Sequence, residues 1–250
     1  MIELKGVNKT FNAGTVQEIQ ALKNINLKIE KGEFVVVVGS NGSGKSTLLN
    51  VIAGNNFADS GEIYIEGNKA NNLKDFERSK WIARIFQNPL LGTAPDLSIL
   101  DNFRLASLRT KKKILKVGID KKFKETVKEK ISLLQLGLEN KLDRMMGSLS
   151  GGQRQALTLI MAIMDDTNIL LMDEPAAALD PKTSEILMRN AEKLIGMFQL
   201  TTILITHHMK DAQRYGSRIL QMGDGKIIRD ISAQQKSELS VNKIYSWFDS

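Results

Sequence analysis

A continuous apolar run followed at once by a glycine-rich loop constrains the fold of this chain most. Phe34 and the valines at 35–38 lack the alternation of a half-exposed strand, so they predict a strand buried on both faces of a parallel sheet. Residues 39–46 then match the pattern GxxxxGK(S/T), and residues 46–53 predict a helix. An incidental glycine-rich turn would not need this strand–loop–helix context. We therefore predict a phosphate loop at residues 39–46.

The residue types of the phosphate loop suit a nucleotide. Its glycines let backbone N–H groups turn toward phosphate oxygens, and the following helix N-terminus adds its positive dipole. Lys45 is predicted to bridge the β- and γ-phosphates, and the Ser46 hydroxyl is predicted to bind Mg²⁺. The predicted nucleotide contacts in this part of the chain are Ser40, Asn41, Gly42, Ser43, Gly44, Lys45, Ser46 and Thr47.

The rest of the chain alternates between strand and helix patterns. Strands are predicted at 2–11, 19–29, 63–66, 82–86, 169–173, 201–206, 219–222 and 226–231, and helices at 97–108, 123–136, 151–164 and 182–198. This order predicts an α/β fold with a P-loop αβα core, an N-terminal antiparallel β subdomain and a helical subdomain. We expect one domain over 1–250, in which 1–88 and 165–232 form the core with the β subdomain. The helical subdomain is predicted at 89–164 and a C-terminal helix at 233–250.

A second glycine-rich segment, residues 149–153 (the LSGGQ segment), precedes the predicted helix at 151–164. A serine and two glycines at a helix start expose backbone N–H groups and so predict a second anion site. One chain would thus carry two half-sites for the same triphosphate. We predict that two copies meet head to tail, and that Ser150, Gly151, Gly152 and Gln153 contact the nucleotide held by the other copy.

Two adjacent carboxylates end the apolar strand predicted at 169–173. Burial of that strand places Asp173 and Glu174 at its carboxyl edge, where parallel sheets bind their ligands. Asp173 is expected to join the Mg²⁺ shell, and Glu174 is expected to polarise the water that attacks the γ-phosphate. The alternative is that the acid pair before Pro175 only ends the strand. The position of the pair behind a phosphate loop favours the catalytic reading.

Four further residues have both a functional and a structural interpretation. Gln87 can touch Mg²⁺ or the attacking water, or can be a surface amide. His207 can hydrogen-bond the γ-phosphate, or can face solvent or cap a helix. Asp180 can reach across a dimer interface or cap the next helix, and Phe11 can stack on adenine or belong to the core. The residues predicted to act in catalysis are Lys45, Gln87, Glu174 and His207. The residues predicted to bind the metal are Ser46, Gln87 and Asp173.

Composition excludes several classes of protein. Of 250 residues 42% are hydrophobic and 25% charged, which is typical of a globular core with a charged surface. No window approaches the roughly 18 apolar residues of a membrane span, and the first residues lack the apolar stretch of a secretory signal. The absence of cysteine excludes disulfides and thiolate metal sites and fits the cytosol. The net charge of +7 suits ATP and an anionic membrane face, and without an aromatic–basic repeat or zinc pattern we expect no nucleic-acid partner.

Taken in order, the motifs resemble those of the ATPase subunit of an ATP-binding cassette (ABC) transporter, over residues 2–231. The resemblance implies a homodimer with two ATP molecules and Mg²⁺ at its interface, in which Ser150, Gly151 and Gly152 contact the partner's γ-phosphate. It also implies integral membrane permease subunits and a peripheral position on the cytoplasmic face of the membrane. Phe11 occupies the position of the family's adenine-stacking aromatic, where tyrosine is more usual.

A narrower resemblance concerns residues 11–16, 88–95 and 151–158. They are similar to a bacterial subgroup that accompanies a lipoprotein-type substrate-binding protein and is often assigned to tryptophan or tyrosine uptake. Ala156 departs from many importer ATPases, which carry arginine there. The resulting expectation is the ATPase of an amino-acid importer. The alternatives are an exporter or lipid-release ATPase and a soluble ABC ATPase outside transport.

The lysine-rich segment 111–124 is either a solvated face or a surface close to anionic headgroups.

Overall fold

The computed structural model describes residues 1–109, 118–165 and 167–248. The strands are β1 (Ile2–Phe11), β2 (Ile19–Ile29), β3 (Phe34–Gly39), β4 (Ser60–Ile65), β5 (Asn68–Lys69), β6 (Ile82–Ile85), β7 (Ile169–Asp173), β8 (Thr201–Ile205), β9 (Arg218–Gly223) and β10 (Lys226–Ile231). The helices are α1 (Lys45–Ala53), α2 (Asp75–Arg78), α3 (Ile99–Ala106), α4 (Lys121–Ser132), α5 (Gly151–Ala162), α6 (Pro181–Phe198), α7 (Met209–Arg214), α8 (Ala233–Ser237) and α9 (Val241–Tyr245). A 3-10 turn at Met146–Ser148 precedes α5.

These elements form two compact units. The first unit comprises Met1–Ile82, Asn168–Glu174 and the chain from Gln199 onwards. The second unit comprises the described residues of Ala83–Thr167 and Pro175–Phe198.

The first unit contains an antiparallel and a largely parallel sheet. The antiparallel sheet has the order β2-β1-β4-β5, with Ile2 opposite both Ile29 and Ile65. Within this unit, the order of the other sheet is β10-β9-β3-β8-β7. The strands β9, β3, β8 and β7 run parallel, and β10 returns antiparallel to β9. All carboxyl ends of the parallel strands therefore lie at one edge, where the phosphate loop follows β3.

The central strand β3 is buried on both faces, as the valine run predicts. Val35 and Val37 belong to one core cluster with Leu48 of α1. Val36 and Val38 point to the opposite face because side chains alternate along a strand, and they too are fully buried. Packing on both faces fixes the end of β3 and hence the start of the phosphate loop.

A buried arginine organises the end of α1. The Arg78 side chain has no exposed surface and donates hydrogen bonds to the carbonyl oxygens of Leu73, Val51, Ile52 and Ala70 at 2.6–2.9 Å. Val51 and Ile52 lie in the last turn of α1, where carbonyls lack helical partners. Burial lowers the pKa of Arg78 to about 10. The guanidinium thus replaces water for four backbone acceptors.

We expect Arg78→Met to lower the free energy of unfolding by about 3 kcal/mol or more, because several buried carbonyls lose their donors together. Urea unfolding followed by circular dichroism would measure this. Arg189→Met, which removes an exposed arginine from α6, is the control and should change stability by less than about 0.5 kcal/mol. Equal urea midpoints for both variants would show that the buried guanidinium contributes no net stability.

The second unit is built from helices around α5. Its helix α5 packs against α3, α4 and α6, and buries Leu157 and Ile160. The unit also includes α6, which lies in the predicted core region 165–232, packs on α5 and contains the buried residue Leu187. The assignment of 1–250 to a single domain stays a prediction.

Two other details differ from the predicted elements. The C-terminal region is not one helix but two short ones, α8 and α9, and the serine N-caps Ser232 and Ser240 begin each of them. Short helices α2 and α7 lie where no helix was predicted.

Among the described residues no helix combines the length and apolar character needed to cross a membrane. Residues 111–117 of the lysine-rich segment lie outside the described residues, and Lys121, Lys122 and Lys124 are exposed on α4.

Candidate functional site

The phosphate loop connects β3 to α1 in the first unit. Gly42 and Gly44 adopt φ values of 80° and 100°, which disfavour other residues. A Cβ atom on Gly44 would also lie 2.4 Å from the Ala21 carbonyl oxygen. The loop is closed by hydrogen bonds from the Ser43 amide to Ser40 O (3.2 Å) and from the Gly225 amide to Ser43 O (3.1 Å). Glycine is therefore favoured at position 42 by the backbone conformation, and at position 44 by both the conformation and the close backbone.

Lys45 is buried at the start of α1. Its Nζ donates to the carbonyl oxygens of Gly39 (2.8 Å) and Ser40 (2.9 Å). Burial lowers the pKa of Lys45, while the nearby carboxylates of Glu174 and Asp173 act in the opposite direction. A partly desolvated ammonium held by the loop itself is suited to binding a more strongly charged acceptor such as phosphate.

The loop has further polar atoms suited to a phosphate. The Ser43 hydroxyl is 2% exposed and has no hydrogen-bond partner among the described residues. Ser40, Asn41, Gly42 and Ser46 are exposed, and Thr47 is half-buried. A buried hydroxyl without a partner, next to exposed loop residues, can donate a hydrogen bond to an oxygen of a bound phosphate.

The metal-binding prediction is partly reflected in the geometry. The Ser46 hydroxyl lies 3.3 Å from Asp173 Oδ1, so a hydroxyl oxygen and a carboxylate oxygen converge at the end of the phosphate loop. Oxygen donors of this kind are those that Mg²⁺ prefers. Gln87, the third predicted ligand, is exposed two residues after β6 and belongs to the second unit.

Glu174 and His207 meet in the first unit. Glu174 follows β7 with φ 46°, a conformation uncommon for non-glycine residues, and its amide donates to Ile205 O at 3.1 Å. Its Oε2 lies 3.1 Å from His207 Nδ1. The carboxylate is 19% exposed and the imidazole 47%. The pair therefore combines a sheltered carboxylate with an imidazole that solvent or ligand can reach.

In the second unit, the LSGGQ segment forms the start of α5. The Ser150 hydroxyl accepts from the Gln153 amide and the Gln153 side chain accepts from the Ser150 amide, both at 3.2 Å. Ser150 is exposed, Gly151 is half-buried, and Gly152 is buried against α6. A Cβ on Gly152 would lie 2.1 Å from Thr183 Cγ2, so this glycine is required for helix packing.

Asp180 has the capping role that was one of its two interpretations. Its Oδ1 accepts from the Thr183 amide at 3.1 Å, and the hydrogen bonds from Thr183 lower its pKa. The carboxylate is exposed, so capping leaves one face of it open.

Phe11 ends β1 opposite Ile19 of β2 and is half-buried. The ammonium of Lys9 lies 5.4 Å from its ring centroid. Val16 and Ile19 are exposed large apolar residues in the same region of the first unit. An accessible aromatic ring beside exposed aliphatic groups can stack on a planar heterocycle.

Comparison with known proteins decides the family. The sequence profile of the family described as ABC transporter matches residues 22–177, more than half of the 250-residue chain. This chain belongs to the ABC transporter family. It is an ATPase subunit of that family, and the predicted α/β cassette fold is confirmed.

Two relatives of this ABC ATPase cover nearly all of its length. The tyrosine transport ATP-binding protein of Clostridioides difficile (strain R20291) is 36% identical over 249 residues, which are 100% of this chain and 99% of that protein. An uncharacterized ABC transporter ATP-binding protein of Methanocaldococcus jannaschii, MJ0796, is 37% identical over 236 residues, which are 92% and 96% of the two chains. A dimeric, post-hydrolysis structure of the MJ0796 cassette bound to ADP and Pi matches with a TM-score of 0.80 at 33% identity. That match covers 93% of this chain and 99% of the other.

One residue that supports the LSGGQ segment was not predicted. Arg154 Nη2 donates to the carbonyl oxygens of Gly147 and Leu149, each at 3.1 Å, and so ties the preceding turn of the ABC ATPase to α5. Its place directly after LSGGQ was the only available sequence signal. The contacts depend on how the turn folds back, which local patterns do not encode.

Proposed function

We propose that this ABC ATPase binds and hydrolyses ATP as a head-to-tail dimer and thereby drives a membrane permease that imports amino acids. The proposal rests most on the first unit, where Lys45, Ser46, Asp173, Glu174 and His207 converge around the phosphate loop. The LSGGQ segment of the second unit supplies the groups for the partner's nucleotide. No nucleic-acid partner is proposed.

For ATP binding, the phosphate loop holds the β- and γ-phosphates through backbone N–H groups, the Ser43 hydroxyl and Lys45. Ser46 and Asp173 would hold Mg²⁺, and the role of Gln87 as a further ligand stays a prediction from the sequence. When bound, Mg²⁺ neutralises charge on the phosphate oxygens. Lys45 exchanges its carbonyl partners Gly39 and Ser40 for phosphate oxygens, which are stronger acceptors.

For hydrolysis, Glu174 would accept the proton of the water that attacks the γ-phosphorus in line, while the bond to the oxygen bridging the β- and γ-phosphates breaks and ADP leaves. His207 holds the carboxylate through Nδ1. His207 would also contact a γ-phosphate oxygen through its other ring nitrogen, Nε2. Lys45 would stabilise the developing charge, and the role of Gln87 toward the water or the metal stays a prediction from the sequence.

The dimer completes each nucleotide site. Ser150 and Gly151 are accessible at the N-terminus of α5, where helix dipole and backbone N–H groups favour an anion. Gly152 contributes through its backbone, because its Cα packs on α6. Gln153 and the open face of Asp180 complete the surface that meets the partner's ATP.

Adenine recognition gives a prediction for Phe11. Phe11→Ala should raise KM for ATP about tenfold and leave kcat nearly unchanged, because stacking contributes about 1–3 kcal/mol per base. Steady-state ATPase assays would measure both constants. Phe11→Tyr retains the ring and is the control. An unchanged KM in Phe11→Ala would remove this residue from the adenine site.

The cargo is proposed from the relative assigned to tyrosine transport, at 36% identity over the whole chain. We propose an amino acid, with aromatic amino acids as the first candidates. The partners would be integral membrane permease subunits and an extracytoplasmic substrate-binding lipoprotein. The ATPase would then act peripherally at the cytoplasmic face of the membrane.

Co-purification tests the transport assignment. The tagged chain would be purified in detergent from its native cells, and the accompanying proteins would be identified by mass spectrometry. A multispanning permease together with a lipoprotein supports import and supplies the protein whose ligand can be screened. A permease of exporter type, or recovery only with soluble assembly factors or nucleic acid, would overturn the importer assignment and leave the ATPase chemistry standing.

A further inference from the structure

A buried glutamine in α5 contacts two separate backbone segments of the second unit. Gln155 is 1% exposed, and its Nε2 donates to Phe86 O at 2.7 Å and to Pro175 O at 3.0 Å. Phe86 directly follows β6, and Pro175 is the second residue after β7. Both amide hydrogens of one side chain are thus used to hold two loops.

The chemistry of the two acceptors fixes the orientation of this amide. Both partners are carbonyl oxygens, which only the nitrogen of the side-chain amide can satisfy. The opposite orientation would direct Oε1 at two acceptors. As placed, Gln155 Oε1 is buried with no hydrogen-bond partner among the described residues, which is costly for a side chain that only fills space.

The two held residues are covalent neighbours of two proposed catalytic residues. Phe86 precedes Gln87, and Pro175 follows Glu174. We propose that Gln155 is a positioning residue for ATP hydrolysis, which fixes the backbone next to both Gln87 and Glu174 from the helix that begins at the LSGGQ segment. This inference rests on the roles proposed above for those two residues.

The conformation of Glu174 explains why its neighbour needs support. A φ of 46° is unfavourable for a side chain with a Cβ and persists only where surrounding contacts hold it. The Glu174 amide donates to Ile205 O, and the carbonyl oxygen of the next residue, Pro175, accepts from Gln155 Nε2. If the second contact is lost, the backbone can relax and move the carboxylate away from the attacking water.

Gln155→Met tests this role, since methionine has a similar length and no donor. We expect kcat to fall on the order of 10–10²-fold, because small misplacement of catalytic groups has effects of that size. KM for ATP and the affinity for a fluorescent ATP analogue should change by less than about twofold, because the phosphate loop binds the nucleotide. The control is Thr158→Val, which removes another buried hydrogen bond of α5, from Thr158 Oγ1 to Arg154 O at 3.0 Å.

The outcomes separate positioning from stability. The positioning role of Gln155 is supported if Gln155→Met loses kcat while its midpoint of thermal unfolding equals that of Thr158→Val. Unchanged kcat, or equal losses of kcat in both variants, would overturn it. When Gln155→Met is added to Glu174→Gln, kcat should fall little further. If the two substitutions instead lowered kcat by the product of their separate effects, Gln155 would not position Glu174. If Glu174→Gln alone kept full turnover, the proposed base would fail, independently of the result for Gln155.

Discussion

Lys45→Ala is expected to abolish ATP turnover. The variant removes the ammonium that the loop carbonyls of Gly39 and Ser40 hold at 2.8 and 2.9 Å, and that balances phosphate charge in the transition state. Removal of one such hydrogen-bond donor lowers kcat by roughly 10²–10³-fold. Because Lys45 is also a buried positive charge, the fall in kcat should be at least as large as the upper value of that range. The same change weakens ATP binding, because the γ-phosphate loses its nearest cation.

An ATPase assay under saturating Mg-ATP, together with binding of a fluorescent nucleotide, measures both effects. Lys226→Ala removes an exposed lysine from β10 of the same unit and is the matched control for net charge. It should retain wild-type kcat and KM. Wild-type turnover in Lys45→Ala would remove Lys45 from the mechanism, whatever its contribution to binding.

The phosphate loop could be predicted in full because its information is local. A strand buried on both faces, glycines at fixed positions and the following helix are all adjacent in sequence, and β3 and α1 form as expected. Strands β1, β2 and β7 begin and end at the predicted residues, since apolar patterning and polar turns mark both of their ends.

The parts that could not be predicted depend on distant contacts. Arg78 resembles a surface cation in sequence, and only the approach of four carbonyls explains its burial and the short helix α2 around it. Likewise, Gln155 follows LSGGQ in the chain, but its acceptors Phe86 and Pro175 come from segments that the fold brings together. The prediction of one C-terminal helix was wrong because two local serine caps outweigh the overall helical pattern.

The positive φ of Glu174 is also invisible in the sequence, where the residue before proline is expected to be extended. Its position beside His207 results from the register between β7 and β8, with Asp173 opposite Ile205. The sequence therefore predicts candidate catalytic groups, whereas the geometry that orients the carboxylate comes from sheet pairing.

Glu174→Gln should trap the ATP-bound dimer. Glutamine keeps the shape of the side chain, and its oxygen can still accept from His207 Nδ1, which lies 3.1 Å from the carboxylate. It cannot take a proton from the attacking water, so kcat should fall by roughly 10²–10⁴-fold. ATP binding should persist, because Lys45 and the phosphate loop are unchanged. With hydrolysis blocked, nothing removes the γ-phosphate that, in the proposed dimer, the phosphate loop of one copy and the LSGGQ segment of the other hold together.

Light scattering after gel filtration in saturating Mg-ATP measures this directly, because the 27.8 kDa chain should elute at twice its monomer mass. Glu238→Gln, which alters an exposed carboxylate at the end of α8, should hydrolyse ATP like the wild type and return to monomer as ATP is consumed. A monomer in Glu174→Gln would contradict the head-to-tail dimer even if turnover were lost. Retained turnover would contradict the role of Glu174 even if a dimer formed. One substitution therefore tests two steps separately. The ATPase rate tests proton transfer to Glu174 within one chain, and the molecular mass tests whether two chains dimerise on ATP.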